Sequence, residues 1–168
     1  PLAPYETSAA IDEICQGVNA VLQDKSVDPL LVIPVFIHDF LCIHPFNDGN
    51  GRMSRLLMTL LLYQNGYMIG KFISLEQKIE RTKDSYYAAL AQSGAGWHTG
   101  DEDIVPFVKY MLRVILAAYR DFESRIELLT MSLSAKDRIK IIISATIGKI
   151  TKSGILEKQP DIAISTVE

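Results

Sequence analysis

Apolar residues recur along this chain at three-and-four spacing, and that spacing predicts helices almost throughout. Residues 8–23 place Ile11, Cys15, Val18 and Leu22 on one face of an amphipathic helix. In the next run Asp28 is an N-cap and Pro29 a first helical residue. Apolar side chains then surround the axis as far as Ile43, which predicts a central helix kinked at Pro34. Residues 54–64 form a third, almost wholly apolar helix, stopped by Asn65-Gly66. Ser74 to Gln77 is a capping box that opens one helix running through residue 92. The Gly-rich stretch 93–103 reads as a loop. From Asp103 to Leu129, apolar residues at 104, 108, 111, 115, 118, 122 and 126 make the stripe of a long helix. No segment alternates as a strand does, so the expected fold is an all-α bundle over residues 1–130.

The remainder, residues 131–168, has another character. Ser134 and Asp137 cap a helix over 134–148, and 151–159 is a shorter second one. A turn over 160–165 and the start of a third helix follow. That order predicts the first part of a helix-turn-helix module.

One stretch breaks the helical rhythm: IHPFNDGNGRMSR, residues 43–55. Gly49-Asn50-Gly51 admits left-handed backbone angles and lets successive N–H groups point into one concavity, an anion nest. The helix behind it adds free N–H groups and the positive end of its dipole. Arg52 and Arg55 sit in the first turn, where each cation is disfavoured by about 0.3–1 kcal/mol. A bound polyphosphate reverses that sign, since guanidinium forks grip phosphate oxygens in pairs. Asp48 suits a Mg²⁺ whose other ligands are phosphate oxygens and water. His44 is the group suited to moving a proton near neutral pH, and it can take one from a hydroxyl that meets a phosphate. His38 reads as a core histidine and His98 as exposed. Phe46 is expected to plug into the core and fix the loop. A Walker loop and a Rossmann fingerprint are both excluded: the first lacks its G-x-x-x-x-G-K pattern, the second its strand and third glycine.

Composition adds bounds. With 168 residues, 48% of them hydrophobic, the chain can bury a core, and the absence of an eighteen-residue apolar run excludes a spanning helix. The start, PLAPYETSAA, has neither a signal-peptide pattern nor a Met and reads as a fragment or trimmed chain. Cys15 and Cys42 form no CxxC pair, so reduced thiols and a cytoplasmic setting are expected. Residues 1–132 hold 11 Lys and Arg against 16 Asp and Glu, whereas residues 133–168 hold 6 against 4. The tail is mildly basic, a weak pointer to DNA.

The run HPFNDGNGRMSR resembles the Fic family signature, H-P-F-x-[DE]-G-N-G-R-x-x-R, at every specified position. FIHDFLCIHPF and DSYYAAL are similar to that family's flanking helices, and residues from 133 on resemble the winged helix of many bacterial members. The resemblance implies transfer of AMP from ATP to a Ser, Thr or Tyr hydroxyl of a target protein, with Mg²⁺ as cofactor. It makes His44 the general base and Asp48 the metal ligand. Gly49, Asn50 and Gly51 then hold the α- and β-phosphates, and Arg52 and Arg55 the outer ones. Tyr86 and Tyr87 match a pair lining the nucleoside pocket, or are two helix aromatics with one merely packed; Trp97 closes the same pocket. DNA at the tail and a homodimer are further partners of this reading, and a membrane is not. Two alternatives stay open: a DNA-binding regulator with the helical core as nucleotide sensor or dimer scaffold, and a phosphodiesterase that removes AMP.

Two departures from the family pattern matter. The family's β-hairpin flap, which docks the target by strand addition, has no counterpart in these residues. The nearest match to its inhibitory pattern, Ser153 to Glu157, has Lys158 where Gly or Asn is required. No Glu of this chain is therefore expected to meet Arg55.

Overall fold

Prolines and caps set where the helices begin. The computed structural model describes residues 2–131, 133–145, 151–159 and 162. Helix α1, Pro4–Asp24, starts at a proline and ends at Lys25 in the left-handed region, four residues ahead of the first expected position at its start. Asp28 caps α2, Pro29–Ile43, by accepting from the Leu30 N–H at 2.8 Å, and Pro34 lies inside that helix. Helix α3, Asn50–Gln64, follows the Gly49 cap.

Apolar patterning then decides the packing. Helix α2 lies against both α1 and α3 and reaches a later helix, α5, Lys83–Gly94. Its Ile33, Phe36, Ile37, Phe40 and Ile43 are buried, with Met58 and Leu62 of α3 beside them in the core. His38 is fully buried too, tilted against Phe107, as a core histidine should be. Its neighbour Cys42 lies 3.6 Å from His38 Nε2, and burial together with Asp39 pushes the thiol up to about 11. Phe107 belongs to α6, Val105–Met131, which contributes Met111, Val114, Ile115 and Ala118 to the core.

The expected single helix over 75–92 is two helices. Ser74 does cap α4, Leu75–Arg81, accepting from the Gln77 N–H at 3.1 Å. The chain then breaks at Thr82, whose hydroxyl donates to the Lys78 carbonyl at 2.9 Å and meets the Tyr110 hydroxyl at 2.7 Å. A hydroxyl that bonds backward to its own turn competes with helix continuation, and a partner 28 residues away fixes the break. The expected loop is shorter than predicted: α5 runs to Gly94, and Trp97–Thr99 makes a 3₁₀ turn.

By compactness the chain divides into units of residues 1–121 and 122–168. In the second unit α7, Ala135–Ala145, is capped by Ser134, which accepts from the Asp137 N–H and donates to its carboxylate. Helix α8, Lys152–Lys158, is capped by Thr151. Most of the expected turn and third-helix start lies outside the described residues. Among the described residues there is no strand, and no helix is long and apolar enough to cross a membrane.

Candidate active site

The site is built where α2 stops and α3 starts. His44 ends α2 in the left-handed region, φ 56°, with its N–H still donating to Phe40 O at 3.1 Å. Pro45 has no N–H with which to continue the helix. The loop is then closed by one side chain. Asn50, only 3% exposed, accepts from the Phe46 N–H at 3.0 Å and donates to the Phe46 carbonyl at 2.6 Å. Phe46 itself is 46% exposed and only tilts against Phe40 at 6.3 Å, so the expectation that it plugs the core is wrong. The Asn50 carboxamide fixes the loop in its place. Asn50→Ala should therefore lower stability by about 1–3 kcal/mol, the usual cost of stranding such partners. Chemical denaturation reads it, and an unchanged midpoint would mean the loop closes without this side chain.

Gly49 has φ 88°, where a side chain is strained, and it turns the chain into the first N–H groups of α3. At Gly51 an added Cβ would meet Arg55 Nη1 at 3.2 Å, so the bare backbone gives the guanidinium its room. Ser54, fully buried, donates to the Gly51 carbonyl at 2.9 Å and tightens the turn.

Both arginines rest on carboxylates. Arg52 Nη2 is 3.0 Å from Asp48 Oδ2, on side chains 74% and 91% exposed. Such a pair contributes about 0–1 kcal/mol and exchanges readily for a stronger anion. Arg55 places Nε and Nη2 each 3.1 Å from Glu76 Oε1. This overturns the expectation that no Glu of the chain would meet Arg55. The partner comes from the first turn of α4; Glu157, the nearest sequence match, has a side chain outside those described.

A cavity of about 280 Å³ gathers His44, Asp48, Gly49–Gly51, Arg52 and Arg55, with Asn47 and Tyr87 on its wall. Tyr86 does not line it. Its ring is buried against Phe107 and Tyr110, and burial pushes its hydroxyl up while Arg55 and a Ser54 hydrogen bond pull it down. Trp97 does not line it either, being held away by an Nε1–H bond to Asp39 Oδ1 at 3.0 Å.

With this geometry, residues 1–62 match the sequence model of the Fic/DOC family. The matched region holds the whole loop from His44 to Arg55. It is similar to protein adenylyltransferase fic-1 of Caenorhabditis elegans, 29% identical over 67% of this chain and 20% of that protein. It also resembles a probable protein adenylyltransferase of Aquifex aeolicus, 32% identical over 57% of this chain and 27% of the relative. The chain thus spans about a fifth to a quarter of the length of these curated relatives. A Fic family protein from Desulfovibrio desulfuricans shares the fold, with TM-score 0.57 and 24% identity over 94% of this chain and 45% of that one.

Every wall of the cavity except Tyr87 falls within the Fic segment. Outside it, Glu76 was missed, and Tyr86 and Trp97 stand away from the cavity. Asn47 was also missed, and its place between Phe46 and Asp48 in the loop was the available signal.

Proposed function

We propose that this chain is the core of a Fic-type protein adenylyltransferase, transferring AMP from ATP to a hydroxyl of a target protein. The observation that carries the reading is the single cavity holding an imidazole, a carboxylate, a glycine nest and two guanidinium groups. In the reaction the target oxygen bonds to the α-phosphorus while the bond from that phosphorus to the bridging oxygen breaks, and pyrophosphate leaves. His44 takes the hydroxyl proton. The N–H groups at Gly49–Gly51 and the α3 terminus hold the phosphates, and Arg52 and Arg55 exchange their carboxylates for the outer phosphate oxygens. The adenylyltransferase names of the relatives support AMP as the transferred group.

Asp48 fits the Mg²⁺ role, because it is an exposed carboxylate lining the same cavity as the glycine nest, and this ion is commonly held by one or two carboxylates together with phosphate oxygens and water. When bound there, the ion supplies charge neutralisation of the phosphates. Asp48→Asn should raise the Mg²⁺ concentration needed for half-maximal transfer by about tenfold or more; an unchanged Mg²⁺ titration would remove Asp48 from that role.

The test of the activity is incubation of the full-length protein with α-labelled ATP, Mg²⁺ and a cell lysate. Label should enter proteins, and a His44→Ala control should lack it. Label equal in both, or in neither, sinks the proposal. Loss of label from pre-modified protein would instead favour AMP removal.

A further inference from the structure

A second cavity of about 380 Å³ lies between α4, α5 and α6, lined by none of the residues of the loop cavity. Its walls carry three cations, Lys78, Arg81 and Arg113, and no carboxylate. That is unexpected where acids outnumber bases: residues 1–132 carry 16 Asp and Glu against 11 Lys and Arg. Lys78 is balanced, its Nζ lying 2.6 Å from Asp121 Oδ2. Arg81 and Arg113 form no ion pair with any described residue. The two come from different helices, α4 and α6, so local helix chemistry does not bring them to one space.

The rest of the lining is complementary to a mixed ligand. Ser85 offers a free-standing hydroxyl at the rim, while the Thr82–Tyr110 hydroxyl pair holds the Tyr110 ring in place. Tyr110 and Val114 are buried and give the cavity an apolar floor. Guanidinium forks select phosphate oxygens over simpler anions, and a volume above about 300 Å³ is that of a small-molecule site. The geometry points to a binding site for a phosphate ester of a small molecule, its phosphate between Arg81 and Arg113 and its carbon body on Tyr110 and Val114.

The probes are phenyl phosphate and inorganic phosphate, titrated without Mg²⁺ into isotopically labelled protein and followed by backbone amide shifts. Phenyl phosphate should give saturable shifts over residues 78–85 and 110–117, with affinity at least severalfold above inorganic phosphate. Arg81→Gln with Arg113→Gln should weaken that binding at least tenfold while amides of residues 47–55 keep their response. Arg55→Ala should leave it intact, which separates this site from the loop cavity whatever the outcome there. Shifts confined to 47–55, equal affinity for the two probes, or undiminished binding in the double variant would each overturn the inference. Both arginines are exposed, so the double variant should keep its fold, and its dispersed amide spectrum verifies that.

Discussion

His44→Ala should slow AMP transfer by about 10²–10⁴, the usual contribution of a positioned general base, while ATP affinity stays within about twofold. The separation follows from the geometry. The proposed phosphate cradle is built from the Gly49–Gly51 backbone and the α3 arginines, whereas His44 lines the same cavity from the end of α2. Alanine in the same left-handed backbone keeps the local strain, so the variant isolates chemistry from folding. Single-turnover transfer and equilibrium ATP binding, measured on one preparation, check both halves. Transfer at the wild-type rate would remove His44 from the reaction.

Arg55→Ala should weaken ATP binding by roughly 10- to 150-fold, since a charged hydrogen bond contributes about 1.5–3 kcal/mol. The structure adds a contrast at the other end of the same ion pair. Glu76→Gln frees the guanidinium, and because Glu76 is 66% exposed the pair contributes only about 0–1 kcal/mol. Affinity should therefore rise by up to about fivefold. The double variant should match Arg55→Ala alone, because Glu76 acts on ATP only through Arg55. Calorimetric titration of all three decides it. A Glu76→Gln protein that binds ATP less well than wild type would show the carboxylate helping the ligand and not competing with it.

What could be read from the chain alone was local. The Asp28 and Ser74 caps depend on residues two or three apart, and both hold. That His44, Asp48, the glycine turn and both arginines share one cavity was legible because they lie within twelve consecutive residues, 44–55. The errors are tertiary. Glu76 reaches Arg55 across 21 residues, and Thr82 breaks its helix with help from Tyr110. No periodicity encodes either contact. Tyr86 and Tyr87 are a different case: adjacent helix residues point about 100° apart, so the reading in which one ring is merely packed stood open from the sequence, and Tyr86 is the packed one while Tyr87 faces the cavity. Phe46 was misjudged because an aromatic beside a buried helix looks like an anchor, whereas a polar amide does the anchoring.

The left-handed backbone at residue 44 has an evolutionary reading. A helix ending in that conformation is ordinarily closed by glycine, and a side chain there costs about 1–2 kcal/mol. Glycine gives back part of that in the entropy of the unfolded chain, leaving His44→Gly more stable by several tenths to about 1 kcal/mol. A selection for heat resistance alone would drift toward glycine here and discard the imidazole at the phosphate loop. Lys25 ends α1 in the same conformation, so the backbone alone does not single out residue 44; what separates the two is that His44 also lines the loop cavity.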